Sequence, residues 1–407
     1  MLYRVILTLS LVLPSTALTQ SSDTLRFCTY NLLSFDEKDT ALVDDYLMIL
    51  NAIRPQVLTV QEITSIKGYE LFTREIAARL DIPLMGTNIE FDAGSNSYSA
   101  GFYDPTHFTY LDKWIDPATP ASQITMNLYH TESDRQIAVM SLYWKAGNTA
   151  GDRTTRVGNA ETVRSRCKEI SPFLPDIIAT GDLNVYTADE DAYQNLLFDQ
   201  EGKRLLYDPI NRPGDWSNNQ EFADLHTQST RVEQFGGGFG GGLDDRFDQI
   251  LLSGSLLDLY VPGSYTTFGN DGKHLDSSVN SPGNSAVSPE VAEALYNASD
   301  HLPVYLDLAI PLPSSSIYLD EKKPECRVKS VGSEKLIFAF RDCIPEELRV
   351  VDMEGKEVFH PTSIPAMIGG RNLMITWETD GMPSGTYLWQ CQTTEGEFSG
   401  KVQIGTF

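Results

Sequence analysis

The sequence predicts a layered α/β domain followed by a small all-β sandwich. Three observations lead there. Between residues 25 and 308, short apolar runs of strand character alternate with segments whose apolar residues fall at helical spacing. Polar and acidic residues recur directly after those apolar runs. At residues 310–316 the texture changes to a Pro- and Ser-rich stretch, and beyond it strands recur at short spacing, separated by turns such as Glu354-Gly355 and Ser384-Gly385. The chain accordingly divides into a leader at 1–19, a large domain at 20–310, a linker at 311–322 and a sandwich at 323–407.

Residues 25–30 read as a strand that stops at Asn31. Leu42, Val43, Tyr46, Leu47, Leu50 and Ile53 follow at helical spacing, and Pro55 closes that helix. Residues 57–60 form a short apolar strand with Gln61-Glu62 directly after it. Residues 71–80 predict a second helix. Strands are expected at 97–103, 123–129 and 136–144, and residues 159–170 predict a helix rich in Arg and Lys. Residues 177–180 predict a buried strand stopped by Gly181. Thr187 and Glu190 stand at the spacing of a capping box for a following helix. Residues 229–242 are Gly-rich but lack the Gly-Lys-Ser/Thr of a phosphate-binding loop, so they predict a flexible surface loop. Residues 247–252 form a strand carrying Asp248, 263–287 a polar loop and 289–296 a short helix. Asp300-His301 opens the strand at 304–308. Tail strands are expected at 336–340, 348–351, 373–377, 387–392 and 400–404.

With 41% hydrophobic residues over 407 positions, the chain can bury a full core. The net charge of −25 argues against a passive nucleic-acid coat, though not against an enzyme that meets a polyanion through bound cations. Solubility of an exported protein is the simpler reason for that charge. Arg4, the apolar run at 5–13 and Ser15-Thr16-Ala17 have the three parts of a secretory signal peptide, and no later segment is long enough to span a bilayer. None of the five cysteines forms a Cys-x-x-Cys pair, so their spacing does not point to zinc. Cys28 and Cys167 read as buried apolar residues, and three cysteines lie in the tail, where export would permit a disulfide. The histidines other than His301 are assigned to surface or packing roles.

The chemistry concentrates at strand ends. Asp182 and Asn184, two residues apart just past a strand, face one spot. On those residues alone an Asx turn is the commoner reading. Asn31, Glu62, Asp248 and the Asp300/His301 pair occupy equivalent places after other strands. Strand ends of a layered α/β fold can converge on one rim, which would hold carboxylates for a hard divalent cation, an imidazole and two amides.

Taken as a set, these residues resemble the endonuclease/exonuclease/phosphatase superfamily, the deoxyribonuclease-like enzymes. The resemblance rests on Thr29-Tyr30-Asn31, Gln61-Glu62, Gly181-Asp182-Leu183-Asn184, Arg246-Phe247-Asp248-Gln249-Ile250 and Ser299-Asp300-His301-Leu302-Pro303-Val304. It implies a four-layer sandwich, two packed mixed β-sheets flanked by helices. It also implies a divalent-metal-dependent phosphodiesterase using Mg²⁺, with Ca²⁺ or Mn²⁺ as alternatives. Glu62 resembles the main metal ligand and Asp300 a second contributor. Asp182 resembles the residue that activates water, and Asn31 and Asn184 the amides that position the phosphate. His301 resembles the phosphate-contacting histidine, oriented by Asp248. Secreted nucleases of the family often carry a second histidine where this chain has Tyr143. Lys145, Arg153 and Arg156 are candidate substrate cations, with a solvated loop as the equal alternative.

The tail resembles the C-terminal sorting domain of bacterial type IX secretion cargo, on Val351-Asp352-Met353-Glu354-Gly355-Lys356-Glu357-Val358, Gly385-Thr386-Tyr387-Leu388 and Lys401-Val402. That would make the outer-membrane secretion machinery a partner and place the protein outside the cell or on its surface. An immunoglobulin-like or carbohydrate-binding module is the alternative. The expected substrate is nucleic acid, acted on by a monomer. A phospholipid or sugar-phosphate hydrolase is the alternative within the enzyme class, and a non-catalytic surface-binding protein the alternative outside it.

Overall fold

A computed structural model describes residues 21–87, 97–312, 324–331, 335–341, 343–361, 372–379 and 381–404. The leader at 1–19 and nearly all of the linker at 311–322 lie outside them. In the large domain the strands are β1 (Ser22–Phe35), β2 (Val57–Ile63), β3 (Met85–Gly86), β4 (Tyr98–Tyr103), β5 (Phe108–Asp116), β6 (Gln123–His130), β7 (Arg135–Tyr143), β8 (Ile177–Asp182), β9 (Leu206–Tyr207), β10 (Asp248–Ser253), β11 (Thr266–Thr267) and β12 (Val304–Pro311). The helices are α1 (Val43–Ile53), α2 (Ile66–Leu71), α3 (Ala150–Ile170), α4 (Asp191–Leu197), α5 (Gly254–Leu257) and α6 (Pro289–Ala298).

Two six-stranded mixed sheets result, in the orders β11-β12-β1-β2-β4-β3 and β5-β6-β7-β8-β10-β9. Each contains one parallel pair, β1/β2 and β7/β8, spanned by α1 and α3 respectively, because parallel neighbours need a crossover. Apolar side chains sort these elements into four layers. Leu25, Phe27, Val57 and Leu306 of the first sheet meet Leu128, Val139, Ile178 and Ile250 of the second in a central core. Tyr46, Leu50 and Ile53 of α1 and Leu295 of α6 cover the outer face of the first sheet, and Val163, Cys167 and Ile170 of α3 cover that of the second.

Several expectations shift. The expected second helix, residues 71–80, is the end of α2, a π turn at Phe72–Ile76 and a tight turn at Ala77–Arg79. Helix α3 starts nine residues before the expected 159, on a capping box made by Thr149 and Asp152. Its first turns are exposed and carry no apolar period. The expected Thr187/Glu190 capping box does not form. Thr187 Oγ1 donates to Gly214 O, and the Glu190 carboxylate accepts from Arg156 and from Tyr186 N. Cys28 and Cys167 are buried as expected, and burial pushes both thiols up, that of Cys167 to about 12.

The tail strands β13 (Glu325–Val331), β14 (Lys335–Arg341), β15 (Pro345–Val351), β16 (Glu357–Phe359), β17 (Asn372–Glu378), β18 (Gly385–Thr393) and β19 (Gly396–Ile404) form one sheet of three and one of four. Phe338 and Trp377 from one sheet pack with Val350, Tyr387 and Trp389 from the other, so the tail is a two-sheet sandwich around its own core.

Candidate active site

The strand register places the predicted residues on one rim. Asn31 pairs with Gln61 across β1/β2, Tyr143 with Asp182 across β7/β8, and Asp248 with Asp182 across β8/β10. Thr29 lies opposite Val304, so the segment leading into β12 carries Asp300 and His301 to the same end. The bulge after Asn31 and the left-handed backbone at Leu33, Ser34 and Glu62 turn these side chains inward. Gly181 precedes Asp182 with a φ of +138°, and a Cβ there would lie 2.0 Å from Leu142 O. Only glycine lets β8 run against β7 at that point and present Asp182 at its end.

Side-chain bonds then link the rim. Asn31 Nδ2 donates to Glu62 Oε1 and to Asp182 Oδ2, both at 3.0 Å, while its Oδ1 accepts from Leu33 N. Glu62 Oε2 accepts from Ser34 N and Oγ. Asn184 donates from its backbone N to Asp182 Oδ1 and from Nδ2 to Asp182 Oδ2 and Trp144 O. The two amides therefore hold carboxylates. The resemblance implies that both amides position the phosphate; in this structure their N–H groups bond to Glu62, Asp182 and Trp144 O.

His301 Nδ1 lies 2.7 Å from Asp248 Oδ2, and Nε2 lies 3.8 Å from Asp182 Oδ2 and 4.0 Å from Asp300 Oδ1. Burial alone would lower the pKa of this imidazole, but the adjacent charges of Asp248 and Asp182 outweigh it and hold the imidazolium well above its ordinary range. Asp182 moves up as well, through burial first and then through Asp248 and Glu62, with His301 opposing. His301 Nε2 and Asp182 Oδ2 lie 3.8 Å apart, so the charge of each bears on the titration of the other. Gln228 Nε2 reaches Asp300 Oδ2 at 3.1 Å and His301 Nε2 at 2.8 Å.

A divalent cation fits the chemistry of this donor set. Asp300 Oδ1 and Asp248 Oδ1 are buried oxygens with no hydrogen-bond partner, and Glu62 offers a third, less buried carboxylate on the rim. Among the described residues no three His, Cys, Asp or Glu ligand atoms on this rim lie within 4.8 Å of one another.

Four contributors have no role assigned from the sequence, although Ser299 lies in a motif that carries the resemblance and Tyr143 stands where secreted nucleases of the family often carry histidine. Gln228 carries no periodic or motif signal. Ser299 Oγ donates to Asn31 O at 2.7 Å and accepts from His301 N, locking β1 to the Asp-His segment; its place beside that motif was the available clue. The Tyr143 phenol stands beside Glu62 and Asp182, and its pKa is raised by burial and by the neighbouring carboxylates. The fourth is the Gly-rich stretch, which is no free surface loop. Phe239 N donates to Asp300 Oδ2 at 2.7 Å, Ser229 Oγ to Phe239 O at 2.7 Å and Gly241 N to Val232 O at 2.9 Å. A Cβ on Gly238 would come within 2.9 Å of Asp300 Cγ. The expected substrate cations are committed elsewhere. Arg156 is fully buried against Glu190 and two backbone carbonyls, Arg153 binds Asn148, and Lys145 pairs with Asp152.

No protein-family model and no curated protein matches the chain. Solved structures do. An endonuclease/exonuclease/phosphatase family protein from Bacteroides thetaiotaomicron is 17% identical, with a TM-score of 0.46, over 72% of this chain and 100% of that one. D. rerio TDP2 complexed with single strand DNA product is 14% identical, with a TM-score of 0.46, over 70% and 98%. The human Nocturnin catalytic domain with bound sulfate anion is 15% identical, with a TM-score of 0.42, over 71% and 97%.

Proposed function

We propose that this chain is an exported, divalent-metal-dependent phosphodiesterase whose substrate is nucleic acid. The observation that carries the reading is the single connected rim running Glu62–Asn31–Asp182 and Asp182–His301–Asp248, built from five separate strand ends. A cation held by Glu62 and Asp300 would neutralise phosphoryl oxygens. Asp182, fixed by three N–H donors, accepts a proton from an attacking water. His301, charged and oriented by Asp248, supplies an N–H to the phosphate where negative charge grows. Tyr143 stands beside Glu62 in place of the second histidine common in secreted relatives of the resembled family.

Export rests on the leader-like residues 1–19 and on the tail's likeness to a sorting domain. The net charge of −25 and the internal pairing of Lys145, Arg153 and Arg156 favour a second substrate class, phospholipids or sugar phosphates, which need no long basic groove. A panel decides between them. The full chain is incubated in Mg²⁺ with supercoiled plasmid, single-stranded oligonucleotide, phosphatidylinositol phosphate and a sugar phosphate. Nicking or shortening of nucleic acid in preference to the others is expected. Phosphate release from only the lipid or sugar would replace the nuclease reading, and no turnover on any of them would remove the enzyme reading.

A further inference from the structure

A second cluster lies at the other end of the large domain. Asp23 sits near the start of β1, opposite Ile310, eight residues before Asn31. At roughly 3.3 Å per residue that places it about 26 Å from the rim. His107 Nδ1 lies 2.9 Å and His130 Nε2 3.0 Å from the same Asp23 Oδ2, and the three ligand atoms fall within 4.8 Å of one another. The two imidazoles stack with centroids 6.2 Å apart and planes inclined by 10°.

This cluster has the form of a built site. The His130 side chain is wholly buried, and its far nitrogen lies 2.7 Å from Ser133 Oγ, which fixes the ring with Nε2 facing Asp23. An outer partner of that kind is how metal-binding histidines are oriented. His107 is tethered through its backbone: its N donates to Asp104 O, and its O accepts from Thr131 N and Oγ1 beside His130. Both nitrogens now hydrogen-bond to one carboxylate oxygen at 2.9–3.0 Å, and the roughly 3.3–3.6 Å between ligands of a tetrahedral Zn²⁺ with bonds of about 2.0–2.2 Å is reached from there by sub-ångström shifts as the cation replaces the two protons. Two imidazoles and one carboxylate suit a borderline transition metal rather than Mg²⁺, whose oxygen preference is met at the rim. The ligands also come from different sheets, Asp23 from the first, His130 from the end of β6 in the second and His107 from the turn immediately before β5.

We propose that Asp23, His107 and His130 bind a zinc-class divalent cation that clamps the first strand to the second sheet, with solvent completing the coordination. The inference is independent of the reaction at the rim.

The test uses the full chain, stripped with chelator, dialysed and kept in saturating Mg²⁺ throughout. Zn²⁺ is titrated by calorimetry, and thermal unfolding is recorded with and without it. One Zn²⁺ per chain and a higher unfolding temperature are expected. His107→Ala should weaken binding by roughly tenfold or more and abolish the shift, Asp23→Asn should do the same, and Glu62→Gln should retain both signals. No Zn²⁺ binding by the unsubstituted chain, or a shift that survives in the folded His107→Ala or Asp23→Asn protein, overturns the proposal.

Discussion

Asn31 gives one amide hydrogen to each of two carboxylates, and the chemistry at residue scale follows from how such donors and charges are divided. Tyr143 is the clearest case, because its phenol stands beside Glu62 where a second histidine was the family expectation. Tyr143→Phe should raise the Mg²⁺ concentration for half-maximal rate by roughly tenfold, with a smaller loss at saturation, as checked by a metal titration of initial rates. The proton balance of His301 and Asp182 predicts a bell-shaped pH profile. The rising limb reports Asp182 losing its proton, and the falling limb reports His301 losing its own. Burial already works against the His301 charge, so removing the charge of Asp248 leaves that cost unopposed. Asp248→Asn should therefore move the falling limb to lower pH while leaving the rising limb on the acid side in place or lower. A kcat/KM profile of the two proteins checks both. The residues themselves were legible, since seven polar positions after apolar runs are visible without a structure. Their bonding was not. Whether Asn31 and Asn184 face the phosphate or hold a carboxylate depends on contacts between β1, β2 and β8 that no local spacing encodes.

At the scale of elements, the site depends on how closely strands approach. Gly181 sits where β8 runs against Leu142 of β7, and a methyl group there meets a carbonyl oxygen at 2.0 Å in a backbone conformation that side chains rarely adopt. Gly181→Ala should cost about 2–4 kcal/mol of stability and displace Asp182, measured by urea unfolding beside initial rates. A turn signal after an apolar run predicts a strand stop at Gly181, whereas β8 runs through it to Asp182. The Gly-rich stretch at 229–242 was misread for a related reason. Glycine there serves close packing, with Gly238 set against Asp300, and composition cannot distinguish that from flexibility. Helix α3 shows the same limit. Its core-facing half has an apolar pattern, but the polar turns that begin at its Thr149 cap do not.

The whole molecule carries a charge of −25 yet gathers buried acids at one rim, and both facts fit a protein that meets an anionic substrate through a cation rather than a basic surface. The division into an α/β domain and a separately cored sandwich was legible from the change in texture near residue 310, because strand spacing and helical period are local signals. The pairing of Asp23 with His107 and His130 was not legible, since it joins the two sheets across 84 and 107 residues of chain. The central claim is that the rim hydrolyses phosphodiesters, with Asp182 receiving the proton from water and Glu62 holding a cation. The most direct measurement is the initial rate on bis(4-nitrophenyl) phosphate, for the unsubstituted chain and for Asp182→Ala, in Mg²⁺ and after chelation, with circular dichroism to confirm the fold. The account predicts Mg²⁺-dependent release of 4-nitrophenol that falls by about 10²–10⁴-fold in the folded variant and disappears on chelation. A rate that persists in folded Asp182→Ala, or that ignores removal of the metal, would contradict it.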